Sequence, residues 1–419
     1  MFRYIDPRSY FTKVGFAFRA LKAPSFRNFF LGQTVSLIGS FIQNIALGWL
    51  VYRLTASSFL LGLVGFAGQI PGLVLTPFAG VYADRLNRRI GLLSTQIMAM
   101  LLSLAMTILI MTDTVQIWHI ILIAFLLGSV TAFDTPFRHA FLFDMVGDRD
   151  LLSNAVAMNS TMINTARFIG PMIGGALIAS VGEGWCFLIN TLSYTGIVAI
   201  LATMRIINVR PKAKPKRIME DLREGVAYSM RHPSIRYMLF LVASASLLGM
   251  PFQVFLPAFT KLMGGSATAF GYMTSAIGAG SLTGAFFLAT RKSVVRFPLL
   301  IYICMLLFAS GLLTFPFFRT VWFVVPILYL TGFGLITMFA GTNVYLQSVV
   351  DDKMRGRVIA LYGMTFMGIT PIGSLIMGAV SKYAGVPYTI IGGGALCLAA
   401  ALLFRPHIPC IVWKAHLQD

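Results

Sequence analysis

Gly80-Val-Tyr-Ala-Asp84-Arg85-Leu-Asn-Arg88-Arg89 decides how the rest of this chain is read. One acid and three arginines sit here between two long apolar runs, 59–83 and 90–111. Each run reaches the roughly 20 residues with which a helix crosses bilayer hydrocarbon. A polar turn this short joins two antiparallel membrane spans at one face of the membrane. Its positive charge says which face, because lysine and arginine collect in the cytoplasmic loops of membrane proteins.

Composition points the same way. The 419 residues are 57% hydrophobic and only 11% charged, against about 25% charged in soluble domains. Mean hydropathy is +0.81. A chain so poor in charge cannot cover a water-facing surface, so lipid is its main solvent. The net charge of +19 suggests nucleic acid until its distribution is followed. The basic residues sit in short loops at alternate ends of the apolar runs, which is a topological pattern and no nucleic-acid groove. Cys186, Cys304, Cys397 and Cys410 form no CxxC or CxxH pattern, and the five histidines lie at segment ends or in loops. We read these as neither disulfide framework nor metal site. No Gly-x-x-x-x-Gly-Lys-[ST] loop occurs, nor any nucleophile–base pair, so neither ATP-driven transport nor enzymatic chemistry is expected. No cofactor is expected either.

Apolar runs near 27–52, 59–83, 90–111, 117–136, 152–180, 185–205, 236–260, 268–290, 297–316, 321–345, 356–381 and 387–404 predict twelve transmembrane helices. The fold class is an all-α membrane protein in two pseudo-symmetric six-helix bundles. The expected divisions are a cytoplasmic amphipathic segment 1–25, a first bundle 26–205, a cytoplasmic linker 206–235, a second bundle 236–405 and a tail 406–419. Residues 1–25 carry no signal peptide, and their alternation of Arg3, Arg8, Lys13, Arg19 and Lys22 with apolar residues suits an interfacial helix. The linker contains Arg210-Pro-Lys-Ala-Lys-Pro-Lys-Arg217 and then an amphipathic stretch, Ile218 to Met230. With both termini inside, the connections outside hold only Arg53, Lys261, Arg319 and Lys382.

The halves repeat. Pro24-Ser-Phe-Arg27 returns as Pro233-Ser-Ile-Arg236, and Gly62 as Gly271, both at a shift of 209; Pro171 answers Pro371 at a shift of 200. Repeats of this parallel kind place a solute site at mid-membrane, between the halves.

The loop signature Gly80-x-x-x-Asp84-Arg85-x-x-Arg88-Arg89 resembles the one joining the second and third spans of the major facilitator superfamily of transporters. Arg167-Phe-Ile-Gly170-Pro171-Met-Ile-Gly174-Gly175 resembles the motif that exporting, antiporting facilitators carry in span five. The stretch 133–175 is similar to the enterobactin-exporter-like branch, the transmembrane secretion effectors. The resemblance covers the first half well and spans seven to twelve loosely. It implies that Gly80, Asp84, Arg85, Arg88 and Arg89 form an inner gate, with Asp84 gripping the start of span eleven near Arg355-Gly-Arg357. It also implies that Gly170, Pro171, Gly174 and Gly175 serve antiport, and that the protein acts as a single chain.

The residues themselves suggest more. Asp134 is the one acid placed within a span away from the loop motifs, and Arg138 lies four residues on, on the same helix face. Arg167 lies deep in span five, on a stripe with Ser160, Asn164 and Pro171. A buried arginine costs ~2.5–3.5 kcal/mol on insertion scales and should face the interior with a partner. Asp134, Arg138 and Arg167 are therefore the candidates for proton coupling, with a static Asp134–Arg138 or Asp134–Arg167 brace as the plainer reading. Gln43, Asn44, Asn159, Asn164, Gln253, Asn343 and Gln347 interrupt apolar runs and are candidate cavity residues, because lipid offers an amide no partner; some will only join helices.

The function expected is proton-coupled export, by alternating access at the bacterial inner membrane, of a small amphipathic molecule such as a siderophore or drug. The expected partners are that solute, protons and lipid, without nucleic acid. The alternatives are an importer or facilitator of an anionic solute such as a carboxylate metallophore, and a non-transporting receptor or scaffold on the same fold.

Overall fold

The computed structural model describes residues 19–147, 149–204, 218–291 and 295–408, excluding the side chains of Val81, Asp84, Arg149, Asp150, Ile218 and Met219. Most of the expected amphipathic segment 1–25, the basic run 210–217 and the tail from 409 lie outside these residues. The first six long helices are α1 (Pro24–Thr55), α2 (Ser58–Arg85), α3 (Arg88–Met111), α4 (Ile117–Val146), α5 (Arg149–Val181) and α6 (Glu183–Thr203). A short helix, α7 (Ile218–Arg231), precedes α8 (Pro233–Leu262), α9 (Ala267–Ala289), α10 (Phe297–Thr314), α11 (Val321–Val349), α12 (Asp352–Ala384) and α13 (Val386–Phe404). Among the described residues eleven helices are long and apolar enough to cross a membrane. Helix α9 misses that measure despite its 23 residues, because Gly, Ser and Thr recur along it.

Local chemistry sets the helix ends. Ser57 Oγ accepts from the Leu60 amide at 3.3 Å, and Asn87 Oδ1 from the Ile90 amide at 3.2 Å, so each turn hands directly to an N-capped helix. Pro24 and Pro233, the repeated prolines, are both first residues of their helices, where a missing amide hydrogen costs nothing. Helix α4 runs ten residues past Pro136, where the sequence reading ended span four, and stops at Gly147 with φ 68°. One proline frees a single carbonyl one turn back, and apolar packing of Phe137, Phe141, Leu142 and Met145 outweighs that loss. Helices α8 and α12 each contain a five-residue π turn, Ala245–Gly249 and Met364–Gly368.

The connections 85–88 and 231–233, together with the start of α12 at Asp352, share what we term the basic end; the other end carries Trp49, Lys261 and Gly385. Packing differs between the two. One apolar core runs through all the helices from α8 to α13 and continues into the far-end parts of α1 to α6, through residues such as Ile42, Trp49, Leu61, Met106, Ile123 and Phe187. A separate core, built on Phe29, Leu92, Phe137, Phe141, Met158 and Ile197, serves the basic end of the first six helices. The two groups of helices are thus fused at the far end and apart at the basic end.

Candidate functional site

Glycines show where the groups meet. A Cβ on Gly62 of α2 would stand 2.5 Å from the Ser374 carbonyl oxygen and 2.9 Å from Gly378 Cα, both on α12. A Cβ on Gly271 of α9 would stand 2.7 Å from the Pro171 carbonyl oxygen and 2.9 Å from Gly175 Cα, both on α5. Two glycines paired by the sequence repeat therefore make the same kind of backbone-to-backbone contact. Trp49 of α1 stacks on Phe270 of α9, with centroids 6.0 Å apart and planes at 19°. Lys261 Nζ lies 4.6 Å from the Trp49 centroid, which adds a cation–π contact to the closure.

Towards the basic end the contacts stop. The last of them on this side is Leu73 of α2 against Gly368 of α12; beyond it nothing stands within 4 Å of a Cβ built on Gly80, Gly356 or Gly363, which lie on α2 and α12. On α5 the stripe that touches α9 is continued by Asn164, Ser160, Ala157 and Ser153, of which the last three are exposed. The result is a central gap, closed at the Trp49–Phe270 end and open at the basic end.

The gate and coupling candidates occupy three places on the first six helices. At the mouth, Arg88 Nη1 reaches Asp144 Oδ1 at 2.9 Å, a pair almost wholly buried. Arg89 donates through Nε to the Leu201 carbonyl at 2.7 Å and through Nη2 to the Ala202 carbonyl. It thereby satisfies the negative C-terminal end of α6. Arg85 is exposed, and the Asp84 side chain lies outside the described residues. Asp144 is a member of this group that sequence reasoning missed. Its signal was an acid four residues after Ala140 at the basic end of a span, one helix away from the arginines.

Midway along the first six helices, Asp134 is buried. Its Oδ1 accepts from Gln96 Nε2 at 2.6 Å and Thr95 Oγ1 at 3.0 Å, and its Oδ2 lies 3.6 Å from Arg138 Nε. The Arg138 and Gln96 partners leave Arg138 Nε and Gln96 Oε1 without a hydrogen bond. Of the two braces expected from sequence, the structure forms Asp134–Arg138.

Arg167 stands apart, half-buried at the top of the gap. A Cβ on Gly278 of α9 would come within 2.6 Å of its carbonyl oxygen, so its backbone lies where α5 and α9 converge. The guanidinium has no ion pair or hydrogen bond among the described residues. In the same helix Gly170 meets Phe41 and Gly174 meets Ile42, so Gly170, Pro171, Gly174 and Gly175 join α5 to both α1 and α9.

The amides divide. Gln43 is buried, and its Oε1 accepts from Asn190 Nδ2 at 2.6 Å and Ser103 Oγ at 2.7 Å. It joins α1, α3 and α6, so helix packing, and no cavity wall, takes up its polarity. Asn159 is likewise buried, with Oδ1 unpartnered. Asn44 is exposed one turn from Gly48, the residue that meets Pro257 of α8, which places it on the gap side of α1. Asn164 donates back to the Ser160 carbonyl at 3.0 Å. Gln253 is half-buried beside Val254, which packs on Gly65. Gln347, exposed, donates to Asn343 Oδ1 on the same helix. A groove of about 640 Å³ lined by Phe168, Met172, Tyr272, Trp322 and Tyr329 lies elsewhere, on the far-end flank of the α5–α9 contact. Its wall residue Trp322 is 76% exposed, so it opens sideways.

Similarity to known proteins agrees with this geometry. A staphyloferrin A transporter of Staphylococcus aureus is 27% identical over 388 residues, covering 90% of this chain and 95% of that one. The multidrug efflux pump Tap of Mycolicibacterium fortuitum is 24% identical over 387 residues, covering 88% and 93%. Among solved structures, the nucleoside transporter NupG superposes with a TM-score of 0.70 at 14% identity, covering 91% of this chain and 98% of that one; such a likeness speaks for the fold alone. The transmembrane secretion effector family matches residues 16–416, so the chain belongs to that family of major facilitator membrane transporters and is no enzyme.

Proposed function

We propose that the chain is a secondary active transporter of the cytoplasmic membrane, exporting a small amphipathic molecule in exchange for protons. Twelve spans, with α9 counted, form two six-helix halves, α1–α6 and α8–α13, joined by a linker that includes α7. The basic end is cytoplasmic, as are both termini. The observation that carries this reading is the one-sided gap: an apolar core fused across the halves at one end and divided at the other. That is the form of one state of an alternating-access carrier, and it gives no reason for a static scaffold.

Asp134 is the proton carrier in this scheme. Protonation removes its attraction for Arg138 and one of its acceptor sites for Gln96, loosening α4 against α3. Antiport is supported by Gly170, Pro171, Gly174 and Gly175, which let α5 slide between α1 and α9 without side chains in the way. In the opposite state Asp84 would grip the start of α12, and Gly80 has the free space that such an approach needs. Siderophores and drugs are the first solutes to test, since the two sequence relatives are a staphyloferrin A transporter and a multidrug efflux pump. Everted vesicles holding the protein should accumulate the exported solute when their lumen is made acidic. Accumulation that ignores the imposed pH gradient would contradict proton antiport.

A further inference from the structure

Arg167 poses a problem that the transport scheme does not absorb. It lies in the middle of a 33-residue helix, and among the described residues its charge meets no acid. By contrast, the two other charged groups at mid-span, Asp134 and Arg138, lie 3.6 Å apart and face each other. Among the described residues Arg167 is thus a charge of the central gap without a counter-ion. Beneath it Ser153, Ala157 and Ser160 are exposed, so in this conformation water from the basic end can solvate it. When the gap closes at that end, the water must leave. A lone guanidinium in hydrocarbon surroundings is expensive, and a fork of five donors suits a carboxylate better than any neutral acceptor.

From this geometry we infer that Arg167 is the anchor of the solute site, and that the solute carries a carboxylate or an equivalent oxyanion. This rests on the transport reading above, and it narrows the solute class. Asn164 and Ser160 continue the same stripe one and two turns towards the basic end; their side chains now donate to carbonyls of their own helix and would turn from these to the polar remainder of such an anion. Above the guanidinium the passage is sealed by the α5–α9 contact at Gly278 and by Trp49 on Phe270. The bound anion therefore sits at the closed apex of the gap, where it is the last group to lose water.

The test uses the full chain, purified in lipid nanodiscs, with citrate as the probe anion and trimethyl citrate as its neutral counterpart. Sulfate at matched ionic strength corrects for general anion binding to a basic protein. Citrate should raise the wild-type unfolding temperature, and trimethyl citrate and sulfate should not. In Arg167→Gln the apparent Kd for citrate should weaken about tenfold or more, as loss of a hydrogen bond to a charged group implies. Arg167→Lys, which keeps the charge, should recover part of the affinity. Equal effects of citrate and its trimethyl ester on the wild type would overturn the inference, even if the glutamine variant fails to fold. So would unchanged citrate affinity in Arg167→Gln. Proton-driven flux persisting while citrate discrimination is absent would sink this inference alone. Citrate binding through Arg167 without any proton-driven flux would sink the antiport reading and leave the anion site standing.

Discussion

Asp134 and Asp144 are two buried acids on one helix with different expected duties, and substitution separates them. Asp134→Asn strands the Arg138 charge but should still fold, because the new amide can donate to Gln96 Oε1, which now lacks a partner. It should abolish flux driven by a pH gradient and retain solute-for-solute exchange; unaltered driven flux would make Asp134 a structural group. Arg88→Gln should instead destabilise the protein by about 3 kcal/mol, the usual effect of stranding one partner of a buried ion pair. Asp144→Asn in the same chain should restore most of that loss. Chemical unfolding of the single and double variants measures the coupling, and additive losses would show that the 2.9 Å pair contributes nothing of its own.

Among the elements, α7 and α12 behave as one body. Arg357 Nε and Nη2 bind Asp221, each at 2.8 Å, and its Nη1 binds Glu224 at 2.6 Å, while Tyr228 Oη donates to Asp351 at 2.9 Å. The linker helix therefore rides with the start of α12, and Arg357 is engaged there in this state. Arg357→Glu should slow transport, and adding Asp221→Arg with Glu224→Arg should restore it in a flux assay. Recovery failing at normal expression would show that α7 is a passive tether. Gly271→Val is a second element-level change: a Cβ there stands 2.7 Å from a carbonyl, so α5 and α9 must part. Turnover should fall to background, with an introduced cysteine at Ala46 becoming reactive to reagents added from the far side.

The same elements mark what the sequence could tell. Apolar run length gave the helices within a few residues, because a membrane span is a matter of hydrophobic length. It failed at α4, where a proline and charges hid ten further helical residues, of which Asp144 pairs with Arg88 of α3 and Arg138 with Asp134 of the same helix. The repeat of Gly62 in Gly271 was readable and corresponds to matched contacts. The roles of Gln43 and Asn159 were not, since composition along one helix does not say which neighbour a polar face meets. Arg89 likewise looked like gate charge and in the structure caps α6, a partner 112 residues away.

At the scale of the whole molecule, the account requires the halves to exchange which end they close. The far end is held by glycine contacts, an aromatic stack and a cation–π contact. The basic end offers Gly80, Gly356 and Gly363 with nothing against them. Contacts of similar kind at both ends would let the two states lie within a few kcal/mol, the gap that a ligand or a proton can bridge. Replacing the four native cysteines and attaching spin labels at Leu86 with Lys353, and separately at Ala56 with Tyr383, reports the basic and far ends of the α2–α12 contact. On protonation and solute addition in nanodiscs, the Leu86–Lys353 distance should shorten as the Ala56–Tyr383 distance lengthens. Both distances staying fixed, or changing in the same sense, would contradict alternating access in this protein.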